Sequence, residues 1–521
     1  MSLAPSFSLL LSTVVLAVLA RYVFSKKRDV SYLPSPPASE GSWIWGNERQ
    51  VFEHQACEMY NKWAARLGPL FKIKAALFHG DVIVVADNAA AAHVFQYSER
   101  YVKAPMFRPI VVKLLGKGLV WAEGAEHRHQ RRLLAPAFSP ESVRGMADDV
   151  WECAEKLESR LTNQILSNGG EMTINIVPHT SACTLDILGR TAFGHDFNMG
   201  ESTEAKEISA SWHKDVNMGL TFAGFLAPIL LFTFPWIAKL PIGGLQEEGV
   251  AKSIVTKLAS RILEKGQISD KGKDILSLLI KDSRDLKGEK GLSHAQILDN
   301  IATFLMVGHE TTAGSLNFTL LDLARNPEVQ QKLREEIQTF GQDLDYDNVQ
   351  KLEYLDAVVR EGLRLHPAAP RTERVALEDD IIPLSKPIRT TDGRTLTSLH
   401  VKAGQVFHLP FATMNVNPDV WGPDGHEFKP ERWLTPGGVP PSSELPRGWG
   451  NIVTFCDGPR SCIGYRLAIV EFKVIVATLI RSIEFRSTTA NIRRVISPTL
   501  QPVIDGKGGL LPLHISLAQQ S

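Results

Sequence analysis

Near its C-terminal end the chain reads Phe455-Cys-Asp-Gly-Pro-Arg-Ser-Cys-Ile-Gly464, and a helix-like run, Tyr465-Arg-Leu-Ala-Ile-Val-Glu-Phe-Lys473, follows at once. The chemistry rests on Cys462. A thiolate is a soft, strong donor to iron, and at the start of a helix it is stabilised by N–H groups and the positive end of the helix dipole. Around it stand an apolar ring (Phe455), a turn glycine (Gly458), a cation (Arg460) and a small residue (Gly464). Gly464 lets the backbone approach a flat ligand closely, and Arg460 can pair with a carboxylate at that ligand's edge. A lone cysteine reads most simply as a buried structural thiol; these co-placed residue types favour a ligand instead. Cys456, six residues earlier, is read as packing.

A second group lies in Val307-Gly-His-Glu-Thr-Thr-Ala-Gly314. Ser293-His-Ala-Gln296 resembles a capping box and Asn326-Pro327 is a stop signal, so a helix of about 50 Å runs between them. Polar residues inside a buried helix are costly unless paired or at work. Gly308 weakens the local ladder, and Thr311 can bond back to a carbonyl one turn earlier. An acid beside an alcohol makes a proton path, with Glu310 as relay and Thr311 at the oxygen; taken alone, the pair also fits a polar patch on a solvated helix.

The loop matches F-x-x-G-x-R-x-C-x-G at every fixed position and resembles the haem-binding loop of the cytochrome P450 superfamily. The resemblance implies haem b with Cys462 as the thiolate ligand of its iron. The helix is similar to the family's A/G-G-x-D/E-T-T/S signature, with Val307 in place of a small residue, which predicts a narrowed oxygen pocket or a shifted helix. Glu361-Gly-Leu-Arg364 and Arg432, within Phe428-Lys-Pro-Glu-Arg-Trp433, resemble the family's E-x-x-R helix and P-E-R segment, implying a buried structural triad. An isolated E-x-x-R is more often a surface ion pair. For haem propionates the candidate cations are Arg460, Arg131 and Arg374. Arg131 follows His127 by four residues, which puts both on one helix face, as in the family's W-x-x-x-R helix with His127 in the tryptophan position. His127 and His129 do not share a face and form no metal pair. Each arginine, by itself, reads as solvated surface.

The 521 residues include 57 basic and 57 acidic side chains, a balance that excludes a nucleic-acid partner bound by bulk charge. Five cysteines without a C-x-x-C pair or zinc-like spacing fit a reducing compartment. Phe7 to Phe24 is almost wholly apolar, and Arg21, Lys26, Lys27 and Arg28 stand at or after its end. This reads as a membrane anchor with the rest of the chain in the cytosol; a cleaved signal peptide is the competing reading. The division is a transmembrane anchor over 1–28, a proline-rich hinge over 29–48 and one catalytic domain over 49–521. The fold class is mainly α with minor β-sheets. Helical periodicity marks Asp148–Leu166, Ala251–Lys265, Ser293–Asn326, Pro327–Phe340 and Gly464–Ile483; alternation marks strands at Leu70–Lys74, Asp81–Val85 and Thr395–Val401. Apolar Leu220–Leu240 carries Pro228 and Pro235, which argue against a straight helix; by resemblance it is a lid over the substrate channel that touches the membrane. Asn317-Phe-Thr319 is formally a glycosylation sequon inside the long helix and is rejected.

No dinucleotide, flavin or iron–sulfur motif is visible in the sequence. Electrons therefore come from another protein; the resemblance implies a membrane-bound NADPH–cytochrome P450 reductase, with Arg128, Arg132, Arg466 and Lys473 as candidate docking cations. Charge reversal at two of them should weaken the coupling and its salt dependence. The expected activity is insertion of one atom of O2 into an apolar small molecule, in fungal secondary metabolism, with a terpenoid-like substrate and a single-pass endoplasmic-reticulum location. Two rivals stand beside it: a haem-thiolate isomerase or peroxide-driven enzyme, and a non-catalytic haem sensor.

Overall fold

Helix ends in this chain are written in its caps. Ser293 and Gln296 close the capping box reciprocally, and the helix they start runs His294–Arg325 to an Asn326 cap before Pro327. The computed structural model describes residues 30–105, 107–234, 237, 249–264, 275–277, 291–340 and 344–519. The anchor and basic patch expected within 1–28, and 235, 236 and 238–240 of the lid segment, lie outside the described residues.

The helices that build the core are α1 (Glu58–Leu67), α2 (Gly124–Leu134), α3 (Pro140–Ser167), α4 (Val177–Phe193), α5 (Thr203–Gly219), α6 (Phe222–Thr233), α7 (Val250–Glu264), α8 (His294–Arg325), α9 (Pro327–Phe340), α10 (Glu353–Leu365) and α11 (Tyr465–Ser482). Helix α3 starts eight residues before the periodicity expected at Asp148, because Ser139 caps the N–H of Ser142 and Pro140 takes the first turn, where its missing N–H costs nothing. Its buried face, from Val143 through Val150, Leu157 and Leu161 to Ile165, packs with α4, α8, α10 and α11 in one apolar core.

Strands β1 (Leu70–Ile73), β2 (Val82–Val85), β3 (Tyr101–Val102), β4 (Glu171–Asn175), β5 (Thr372–Ala376), β6 (Asp380–Arg389), β7 (Thr395–Val401), β8 (Val406–Leu409), β9 (Ile483–Ser487), β10 (Arg493–Ile496), β11 (Leu500–Ile504), β12 (Lys507–Gly508) and β13 (Pro512–Leu517) form small sheets. The largest has the order β1-β2-β8-β5-β3. In it β2 pairs in parallel with β8, Val82 opposite Val406, and is buried at every position, as a strand covered on both faces must be. β6 and β7 form a separate hairpin.

Pro228 acts differently from expectation. It sits inside α6 without ending it; the break falls earlier, where α5 and α6 meet at 79°. Among the described residues no single helix is long and apolar enough to cross a membrane, and this bent pair is the one combination with the length and composition to do so. The rings of Phe222 and Phe225 on α6 meet Trp45 at 5.6 and 5.8 Å, beside the exposed Trp43 and Ile44.

Candidate active site around Cys462

The cysteine loop is a chain of backbone bonds. The Cys462 N–H donates to the Phe455 carbonyl at 2.8 Å and that of Ser461 to Gly458 at 3.0 Å. Gly458 has φ +66°, and a Cβ there would lie 2.6 Å from the Phe95 carbonyl, so the turn and the close approach both require glycine. A Cβ at Gly464 would meet nothing closer than the Phe138 ring at 3.7 Å. No protein contact demands that glycine; a flat ligand would.

Of the five cysteines, Cys57, Cys153 and Cys183 are buried, Cys456 is half-buried and Cys462 is exposed, although its thiol lies deep among protein atoms. Its depth in the protein pushes the thiol above its ordinary range, while the Gly464 N–H and the nearby Arg131 pull the other way. The helix start alone therefore does not make a free thiolate; a metal that binds sulfur completes the deprotonation.

Helix α8 faces the loop. From Asn300 to Leu321 every residue is buried except Phe304, Val307, Gly308 and Thr311, which share one face at helical spacing. Phe138 ties this stripe to the loop, with its ring 5.1 Å from that of Phe304 and its edge against Gly464. The Thr311 hydroxyl donates to the Val307 carbonyl at 2.7 Å. Gly308, read from sequence as a weak point in the ladder, is a packing position: a Cβ there would lie 2.6 Å from Leu188 Cδ1 of α4. Glu310 is off the stripe, 6% exposed, with Oε1 3.5 Å from His309 Nε2. Of the acid–alcohol pair, Thr311 lies on the less buried stripe and Glu310 does not.

Glu361, Arg364 and Arg432 are brought together. Arg364 donates to both Glu361 oxygens at 2.8 and 2.7 Å, and Arg432 Nε lies 3.4 Å from Oε1. The indole of Trp433 and the N–H of Lys429 complete the carboxylate. Arg364 also reaches the Asn415 carbonyl at 2.8 Å. Asn415 and the Leu363 carbonyl hold the Thr454 side chain, next to Phe455, so the network reaches the cysteine loop through two residues that sequence reasoning missed.

The expected propionate cations divide. Arg131 donates to the Ser461 carbonyl and hydroxyl at 2.6 and 3.2 Å, clamping the residue before Cys462. Arg460 is taken by Glu123 and the Ala122 carbonyl at the start of α2, and burial lowers it to about 10. Arg374 is 5% exposed and donates to Thr372 and the Glu373 carbonyl. His127 is buried, and burial with the charges of Lys103 and Arg131 lowers it to about 4, so at neutral pH it offers a neutral imidazole.

Two further cations, Lys103 and Arg108, join this group. Lys103 donates to the Val120 carbonyl at 2.6 Å; burial, with repulsion from Arg460, Arg374 and Arg108, pushes it well below the usual lysine range. Arg108 stacks on Trp121 at 4.0 Å and leaves its buried Nε without a partner. Inside the cluster Glu123 pairs with Arg460, and its Oε1, without a hydrogen bond, lies 3.7 Å from Lys103 Nζ. The four cations Lys103, Arg108, Arg374 and Arg460 thus have two carboxylates beside them, Glu123 and Glu373, and a ligand with carboxylates at its edge fits. No local sequence pattern marks Lys103 or Arg108, because their partners lie far along the chain.

Of the docking cations, Arg128, Arg132 and Arg466 are exposed, with Arg128 paired to Glu99. Lys473 is corrected: it is 3% exposed, bonded to Asp356 at 2.7 Å and Gln350 at 2.9 Å. It lies on the inner face of α11, which the sequence read as outward.

Residues 36–502 match the family model described as Cytochrome P450. The chain belongs to the cytochrome P450 family. It is 33% identical over 508 residues to cytochrome P450 monooxygenase 128 of Postia placenta, covering 93% of this chain and 92% of the relative. Against cytochrome P450 monooxygenases claP and claO of Ampulloclitocybe clavipes it is 33% identical over 474 residues (88% of each chain) and 31% identical over 531 (98% of each). As a cytochrome P450 the chain is an oxidoreductase, a haem-thiolate monooxygenase. The family implies haem on a cysteine thiolate. The donor set fits: a thiol deep among protein atoms, a glycine beside it that no protein atom requires, and an unbalanced cationic rim.

Proposed function

We propose that this cytochrome P450 hydroxylates or epoxidises an apolar small molecule in fungal secondary metabolism, with Cys462 as the iron ligand and Thr311 at the oxygen site. One observation carries the reading: Cys462 is the exposed cysteine, and its loop faces a helix whose unburied stripe, Phe304–Val307–Gly308–Thr311, is apolar but for one hydroxyl. Bound haem would supply dioxygen activation, with electron release from the thiolate assisting O–O cleavage. The protein's own residues do the rest. Arg131 and the Gly464 N–H stabilise negative charge on Cys462. Lys103, Arg108, Arg374 and Arg460, with neutral His127 as a hydrogen-bond donor, would hold the propionates. Phe304 and Val307 exclude water and present apolar surface to the substrate. Thr311, fed by Glu310, passes protons inward. Overall, R–H + O2 + two electrons + two protons gives R–OH + H2O.

The relatives from two fungi, named monooxygenases, support the setting; a terpenoid-like substrate is our choice among apolar classes. Electrons would arrive from an NADPH-dependent reductase docking near Arg128, Arg132 and Arg466. Apolar Phe7–Phe24, with the exposed Trp43, Ile44 and Phe222, supports a single-pass anchor, a short hinge and a lid resting on lipid, with the catalytic domain on the cytosolic face of the endoplasmic reticulum.

The reduced carbon monoxide difference spectrum tests the ligand: a thiolate band is expected, and Cys462→Ser should abolish it. Thr311→Ala should keep the band and uncouple oxygen use from product. Product formed with NADPH and reductase, and not with peroxide alone, separates this reading from the peroxide-driven one.

A further inference from the structure

Arg131 is held differently from the rim cations. Both its terminal nitrogens donate to Ser461, Nη1 to the carbonyl at 2.6 Å and Nη2 to the hydroxyl at 3.2 Å. Ser461 is the residue before Cys462, so α2 forks a guanidinium onto the cysteine loop itself. A guanidinium is planar and permanently charged, and two acceptors fix its position. Against the burial that raises the Cys462 thiol, this charge favours the thiolate. Burial lowers Arg131 in turn, and Cys462 and Cys456 are the groups that hold it charged. The rim is another neighbourhood. Beyond burial, Lys103 is lowered by repulsion from Arg460, Arg374 and Arg108, and Arg460 by repulsion from Arg108; Arg131 has no leading part in that crowding. The rim keeps its four cations for a ligand's carboxylates without Arg131.

We propose that Arg131 is a positioning residue for the sulfur and not a propionate ligand: clamped on Ser461, it fixes a positive charge beside Cys462 and so raises the reduction potential of the bound haem. This rests on the reading of Cys462 as the iron ligand. The sign follows from charge. The first electron, from the flavoprotein reductase, converts ferric to ferrous iron; no bond breaks, no proton moves, and the site gains one negative charge. A fixed cation favours the state with the extra negative charge. Arg131 thereby eases entry of the first electron, and Ser461 supplies its seat.

Potentiometric titration of the haem-loaded protein tests this. Arg131→Gln retains a donor for the Ser461 carbonyl and loses the charge. The ferric–ferrous equilibrium should move towards ferric about tenfold, which is about 59 mV lower for one electron, with the thiolate band kept. Arg131→Lys retains the charge without the fork and should recover part of the shift. Ser461→Ala removes one of the two acceptors and should give a smaller shift in the same direction; it makes the comparison if Arg131→Gln does not fold. A propionate ligand predicts faster haem release instead. Loading the protein with haem dimethyl ester separates the two roles, because its esterified propionates carry no charge: the Arg131→Gln shift should persist in full. A shift that vanishes with the ester, or an unchanged potential, overturns the proposal. A wild-type protein without the thiolate band fails at the proposed function instead, before any potential is compared.

Discussion

Two buried charge clusters flank the cysteine loop, and they are built on opposite principles. In the first, Glu361 sits at zero exposure with Arg364, Arg432, Trp433 and Lys429 around it, so its carboxylate oxygens are all engaged. In the second, Lys103, Arg108, Arg374 and Arg460 outnumber the carboxylates of Glu123 and Glu373, Glu123 Oε1 and Arg108 Nε have no hydrogen bond, and burial lowers Lys103 and Arg460. A satisfied network is complete within the polypeptide, whereas a half-satisfied one is worse than an apolar core. The first cluster therefore belongs to the fold and the second to a ligand, and removing one member should have opposite consequences in the two.

The largest effect is expected at Glu361→Gln. It leaves the buried Arg364 without a carboxylate, while Arg432 keeps Asp424 at 3.3 Å, at about 3–5 kcal/mol, read as a shift in the denaturation midpoint with or without haem. A loss under about 1 kcal/mol would erase the contrast. At Lys103→Met the sign should depend on the ligand: melting of the haem-free protein unchanged or raised, and haem release roughly tenfold faster, in line with one charge-assisted hydrogen bond. A destabilised haem-free protein with normal haem release would move Lys103 into the structural class.

The smallest effect sharpens the comparison through pH. His127 is lowered to about 4 in the folded protein, against an unfolded value of about 6.5. Between these values the unfolded chain binds more protons, so this contribution is present above about pH 6.5 and lost as pH falls towards 4; near pH 6 the loss is about 1 kcal/mol. His127→Gln should flatten that limb in haem-free protein. Haem carboxylates beside the ring would raise its folded value and flatten it too; an acid limb unchanged by haem would detach His127 from the rim.

What could be read from the chain divides along the same line. Local signals carried well: Ser293 with Gln296, Asn326 with Pro327, and the alternation at Thr395–Val401 placed elements within a residue of where they stand. The start of α3 was missed although Ser139-Pro140 marks it. Pro228 misled because one proline inside α6 is tolerated where its neighbours hold the turn. For the site, Cys462 and the triad were legible because their residue types are rare at fixed spacing. Lys103 and Glu123 and the inward turn of Lys473 were not. Each depends on partners brought up by the fold, and letters do not record that.

The parallel pairing of β2 with β8 sets an order for synthesis. Val82–Val85 leaves the ribosome about 320 residues before Val406–Leu409. At 5–20 residues per second, that is roughly 20–60 s in which an all-apolar strand has β1 on one side and an open edge on the other. Unpaired apolar edges invite pairing with other chains, and contacts this distant in sequence form slowly. Yield in a foreign host should therefore depend on the rate of translation and on chaperones that cover the early sheet, more than on the supply of haem.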